Sequence, residues 1–164
     1  MRKKQNSNPY IAIALLAIGI ALVLYFLSTL NLFTPKATGY FVFDNKNYTF
    51  THVDTTIPEW ERGLMNYTIT NSTFELLVFP EGSRYSDWMR NTYYPIDIFW
   101  INNSKVVYIT RDAIPCIDYD PSQQNCILYT PNMSFNYQIE TAAGFVNRTN
   151  LTVGDNITIH WKYD

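Results

Sequence analysis

Hydrophobic and polar residues alternate on two different scales along this chain. Residues 10–33 form one almost unbroken apolar run, and no charge occurs between Lys4 and Lys36. A helix over these 24 residues would be about 36 Å long, enough to cross a hydrocarbon core of ~30 Å with some tilt. Beyond it the pattern shortens to segments of strand length. Residues 40–43 and 48–53 flank the turn-forming stretch 44–47, which predicts a hairpin. Thr56, Pro58 and Glu59 have the spacing of a capped helix start, and Gly63 that of a helix end after two turns, with Arg62 at the helix C-terminus. Residues 74–79 read as a strand stopped by Pro80-Glu81-Gly82. Residues 96–101 are apolar on both faces, as a central strand is, and turn through 102–104 into 105–110. Phe135, Tyr137 and Ile139 alternate with Asn136, Gln138 and Glu140, which assigns Glu140 to a solvated face. A last strand covers 156–162 after the Gly154-Asp155 turn. Many short strands with one brief helix predict an all-β fold, a compact antiparallel sandwich or barrel behind a single transmembrane helix.

The expected organisation is a cytoplasmic stub (1–9), a transmembrane helix (10–33), a linker (34–39) and an exported β-domain (40–164). A cleaved signal peptide would have a shorter apolar region and a small-residue cleavage site, which this run lacks. Arg2, Lys3 and Lys4 outweigh Lys36, so the expected topology is N-terminus in the cytoplasm and C-terminal domain outside. That location in the cell membrane makes the membrane itself one expected partner. Two further features fit export. Asn47, Asn66, Asn71, Asn102, Asn132, Asn147, Asn150 and Asn156 all stand in Asn-x-Ser/Thr acceptors, as in an archaeal or eukaryotic-type glycoprotein. Cys116 and Cys126 are the only cysteines. A disulfide between them would close a short loop and stabilise by roughly 3 kcal/mol. Two thiols ten positions apart with no nearby His make a poor zinc set.

Composition narrows the possibilities. The chain has 164 residues, 47% hydrophobic and 16% charged, so disorder is excluded for its bulk. From Lys36 onward there are 9 basic and 14 acidic residues, a net of 9 − 14 = −5, which argues against a nucleic-acid partner. The 6 glycines are scattered, and no phosphate loop occurs.

The most specific segments are Trp60-Glu61-Arg62-Gly63-Leu64-Met65, then Trp88-Met89-Arg90-Asn91-Thr92, then Pro95-Ile96-Asp97-Ile98-Phe99. They are followed by a Pro-Cys…Cys loop, Glu140 four residues before Gly144, and the Gly154-Asp155 turn. In this order they resemble the domain of unknown function 192 family over about residues 53–163. The resemblance implies a β-sandwich of jelly-roll type and no settled activity; paired loop cysteines in some members support the disulfide. Trp100 after Phe99 and a longer, more polar cysteine loop depart from the family pattern.

Arg62, Trp88, Met89, Asn91, Thr92 and Asp97 are the candidate binding residues, since polar groups set in apolar surroundings need partners. Asp97 serves either as a functional carboxylate or as an internal acceptor for Arg62, Asn91 or Thr92. Asp97 and Glu140 are the candidate catalytic pair, of the kind glycosidases use. Met65 and Met89 are possible copper(I) ligands but serve better as core filler. Asp118, Asp120 and Asn125 lack EF-hand spacing. His52 and His160 have no marked nucleophile to serve. No metal or cofactor is expected. The leading expectation is a non-catalytic binding or accessory module of the cell envelope, with an envelope ligand or protein as partner. A glycan hydrolase using Asp97 and Glu140, and a structural or adhesive envelope subunit, are the alternatives.

Overall fold

In a computed structural model, which describes residues 9–29, 35–117, 120 and 125–164, the chain divides into two units, Met1–Pro35 and Lys36–Asp164. The first contains helix α1 (Pro9–Thr29). Among the described residues no helix is long and apolar enough to cross a membrane. The expected single-pass anchor over 10–33, and the membrane location and topology drawn from it, are therefore not upheld. Arg2, Lys3 and Lys4 lie outside the described residues.

The second unit is mostly β. Strand β1 (Ala37–Phe43) turns through Asp44 and Asn45 into β2 (Lys46–Thr49). Both turn residues have positive φ, 48° and 58°, as a two-residue hairpin of matching twist requires. The expected second strand, 48–53, splits. Phe50 donates its N–H to the Gly39 carbonyl and Thr51 donates to Phe74, so the chain leaves one sheet and enters another as β3 (His52–Asp54). The remaining elements are α2 (Ile57–Arg62), β4 (Phe74–Ser83), β5 (Asp87–Trp88), β6 (Ile96–Asn102), β7 (Lys105–Ala113), β8 (Leu128–Tyr129), β9 (Phe135–Ala142), α3 (Phe145–Thr149) and β10 (Thr158–Tyr163).

Three sheets result, with orders β10-β1-β2, β3-β4-β9-β6-β7 and β5-β8. The five-stranded sheet is mixed rather than antiparallel, because β3 and β4 run parallel. The connection between them, through α2 and a long loop, is the length a parallel crossover needs. The sheets form no closed barrel. On one face of the five-stranded sheet, Leu76, Phe99 and Ile139 pack with Phe41 of the small sheet and Phe145 of α3. On the other face, Leu77, Ile98, Trp100 and Phe135 pack with Leu64 and Met89. Cys116 and Cys126 are joined by a disulfide with Cα atoms 5.7 Å apart.

Candidate functional site

Strand alternation puts acids on the second face. In β4, Glu75 shares a face with Leu77 and Phe79; in β9, Glu140 shares one with Gln138. The register sets Glu75 directly opposite Glu140, and Leu77 opposite Gln138. Asp54 of β3 aligns with Leu77 in the parallel pair. Glu75, Glu140 and Asp54 are all buried. Like charges directly opposite on a sheet destabilise it, and burial raises the cost of each charge.

Helix α2 closes over this row. Glu59 Oε2 accepts the N–H groups of Thr55 and Thr56, both at 2.9 Å, and so fixes the helix start. The Trp60 indole N–H donates to the Asp54 carbonyl at 3.1 Å, and its ring packs on Phe79 at 4.7 Å. Gly63 ends the helix at φ 45° and ψ −137°, a conformation suited to glycine. A Cβ there would lie 3.6 Å from Glu140 and 3.7 Å from Glu75, so the backbone rests directly on the two carboxyls. The half-exposed Arg62 guanidinium stands 3.7 Å from Asp54 Oδ1.

The ribbon β5–β8 adds Asp87. Its Oδ1 accepts the Trp88 N–H at 2.6 Å, and its Oδ2 accepts the Gln138 side-chain amide at 2.8 Å. The same amide nitrogen donates to Glu140 Oε1 at 2.9 Å. The acids thus form a chain: Asp54, Glu75, Glu140 and, through Gln138, Asp87. Neither Glu75 oxygen has a donor among the described residues. Facing carboxyls that lack donors favour holding a proton between them. Burial, then the Asp54 charge, push the Glu75 carboxyl well above the usual range. Burial, then Asp87 and Glu75, do the same to Glu140. Burial also raises Asp54 against the opposing pull of Arg62, and takes Asp87 up to about 6.

A cavity of about 280 Å³ opens beside this chain, walled by Trp60, Phe79, Tyr85 and Trp88 and reaching Asp87 and Gln138. Among the described residues its charged lining groups are Asp87 and Glu61, both acidic. Mostly apolar walls with a few convergent polar groups are the usual build of a small-molecule site. Among the described residues no group of three His, Cys, Asp or Glu side chains is placed to hold a metal.

The expected site residues are dispersed. Asp97 is buried on the opposite face, because it is paired with Thr141 while Glu140 is paired with Ile98. Its partners are not Arg62, Asn91 or Thr92. Oδ1 accepts the Asp112 N–H at 3.0 Å and Oδ2 the Val146 N–H at 2.8 Å. A register shift between β6 and β7 at this point leaves the Asp112 N–H for the carboxylate. With the two side chains on opposite faces, Asp97 and Glu140 cannot act on one bond. Glu140 itself is buried, not solvated. The alternation in β9 is real, but α2 and the ribbon cover the face expected to meet water. Asn91, at φ 51°, donates its N–H to the Cys116 carbonyl and accepts the Asn66 N–H, at 2.8 and 2.9 Å. Thr92 is buried beside it and donates its N–H to the Met89 carbonyl. Met89 is core and Met65 is half-buried. Trp88 reaches the cavity and carries Arg90 over its ring at 5.4 Å. In the cysteine loop Asp120 donates its N–H to Asn125 Oδ1, and Asp118 lies outside the described residues. His52 packs on Tyr67 and His160 on Tyr40. The acceptor asparagines are exposed except Asn102, which is half-buried.

Glu75, Asp87, Asp54 and Tyr85 carry no motif, and Trp60 stands in a distinctive segment without a site role to mark it. Glu75 left a signal: period two puts it on the face of Leu77 and Phe79, where a carboxylate is out of place.

Fold and site together define a sandwich-like β-domain with a buried acidic row beside an aromatic cavity. The chain belongs to the domain of unknown function 192 family, described as uncharacterised ACR, whose model matches residues 42–159. It is similar in structure to a protein of unknown function from Novosphingobium aromaticivorans. That match has a TM-score of 0.60 and 19% identity, covering 74% of this chain and 83% of the other. It is also similar to a protein from Sinorhizobium meliloti described as a proposed transcription regulator. There the TM-score is 0.64 and the identity 20%, with 77% of this chain and 95% of the other covered. At these identities the likeness shows the fold alone. No curated protein matches the chain.

Proposed function

We propose that the β-domain is a non-catalytic binding module whose ligand site is the cavity between α2 and the β5–β8 ribbon. The observation that carries this reading is the aromatic cavity, with Trp60, Phe79, Tyr85 and Trp88 as walls and Asp87 as its buried-side acceptor. Glu75 and Glu140 stand directly opposite each other across β4 and β9, as the two acids of a carboxyl dyad do. The pair lies beneath Gly63 and does not line the cavity, so it supports the site electrostatically rather than meeting a substrate. The net of −5 beyond Lys36 disfavours nucleic-acid contact, which argues against carrying the transcription-regulator description over from the Sinorhizobium meliloti protein.

A thermal-shift screen of the full chain against small organic cations, sugars and amino acids tests the proposal. A ligand at 100 times its Kd is expected to add about 2.7 kcal/mol. Trp60→Leu is expected to abolish that response while the variant stays folded. A panel of ligands whose shifts survive both Trp60→Leu and Tyr85→Ala would place binding elsewhere and overturn the reading.

A further inference from the structure

We infer that the cavity takes a small organic ammonium ion with an apolar body, a reading that rests on the binding role proposed above. Three independent observations converge on it. The first is sign. Among the described residues the charged side chains lining the cavity, Asp87 and Glu61, are acidic, so an anionic ligand would add charge of the same sign in a partly dry site. The second is the walls. Aromatic rings present a negative face and hold a cation within about 6 Å of the ring centre. Trp60, Tyr85 and Trp88 line one space, and the Trp88 ring already carries one cation, the Arg90 guanidinium 5.4 Å from its centre.

The third is a deficit of positive charge behind the walls. Asp54, Glu75, Glu140 and Asp87 form one connected row, and the Arg62 guanidinium meets only its Asp54 end. Neither oxygen of the fully buried Glu75 has a donor among the described residues, so the row holds more acceptors than donors. Among the described residues Asp87 has no ion pair, and a cation seated next to it offsets the charge of its ionised carboxylate. A neutral ligand could stack on the same rings, but it would leave that deficit in place. The Gln138 amide, bonded to both Asp87 and Glu140, links the cavity to the row.

The test is isothermal titration of the full chain with choline and with dimethylbutanol, the uncharged carbon isostere of the same shape. Choline is expected to bind at least about tenfold more tightly. Asp87→Asn, which keeps the shape of the side chain, is expected to lower choline affinity about tenfold and leave dimethylbutanol unchanged. Glu61→Gln, an exposed change, serves should Asp87→Asn fail to fold, with an expected loss of about threefold for choline alone. Equal affinity for the two compounds, or preference for dimethylbutanol, would overturn the ammonium assignment while leaving a binding site. If neither compound binds, the ammonium assignment falls, and the thermal-shift screen with Trp60→Leu decides the binding role separately.

Discussion

Asp97 and Glu140 stand one register position apart on neighbouring strands β6 and β9, yet they meet opposite treatment by the fold. Asp97 faces α3 and the β6–β7 bulge, where two backbone N–H groups point at its oxygens. Glu140 faces α2, where its neighbours are Glu75, a glutamine amide and the Gly63 backbone. One buried carboxylate has fixed donors and ties two elements together. The other belongs to a row with more acceptors than donors. A buried acid with its donors in place is structural, whereas a row that has to retain protons holds free energy a ligand can release.

The largest expected effect is on the satisfied side. Asp97→Ala removes the acceptor for two backbone N–H groups, that of Val146 buried and that of Asp112 part-buried, and is expected to cost about 3 kcal/mol in urea unfolding. Asp97→Asn keeps one acceptor and is expected to cost roughly half as much. Neither should shift choline affinity in whatever fraction remains folded. Opening the disulfide with Cys116→Ser is expected to cost roughly 3 kcal/mol, because it frees the loop whose start anchors Asn91.

On the unsatisfied side the sign reverses. Glu75→Gln replaces a buried carboxyl without donors by a neutral amide that can donate to Glu140, and is expected to stabilise the domain by ~1–2 kcal/mol at pH 8. Loss of stability in that variant would show that Glu75 already has adequate partners, and the contrast with Asp97 would collapse. Proton linkage gives a second check. The Asp87 carboxyl is taken up to about 6, so the folded state holds its proton more tightly than the unfolded chain does. That stability is fully present below about pH 4 and is lost as the pH rises through about 6. Glu75 and Glu140 are raised as well and act in the same direction. Chemical unfolding should therefore give greater stability near pH 5 than near pH 8, by about 1–2 kcal/mol once solvent screening of Asp87 is allowed for. Glu75→Gln should flatten the profile. The smallest expected effect is that of Arg62→Ala. This half-exposed ion pair at 3.7 Å should contribute under about 1 kcal/mol.

The same contrast explains what could be read from the residues. Residues 96–101 announced a central strand because both faces are apolar, and Thr56, Glu59 and Gly63 announced the limits of α2 because capping is local chemistry. The turn at Asp44 and Asn45 is local for the same reason. Parallel pairing of β3 with β4 was hidden, since it depends on where a long crossover returns. Asp97 was recognisable as buried, but its donors come from residues 15 and 49 positions away, beyond any local pattern. Glu140 was misassigned to solvent because alternation defines two faces without saying what covers each. The acidic row required the register that sets Glu75 against Glu140 and the ribbon that brings Asp87 to Gln138. The apolar run at 10–33 looked long enough for a span, while the described helix does not meet that requirement.

The central claim is that the row on the α2 face retains protons at neutral pH. A carboxyl-carbon NMR titration of the full chain, with Glu75 and Glu140 assigned by their Gln variants, measures this directly. The account expects at least one of the two to be protonated at pH 7, and the other to move when Asp87 ionises near pH 6. Two carboxyls that both ionise below about pH 5, independently of each other, would contradict it.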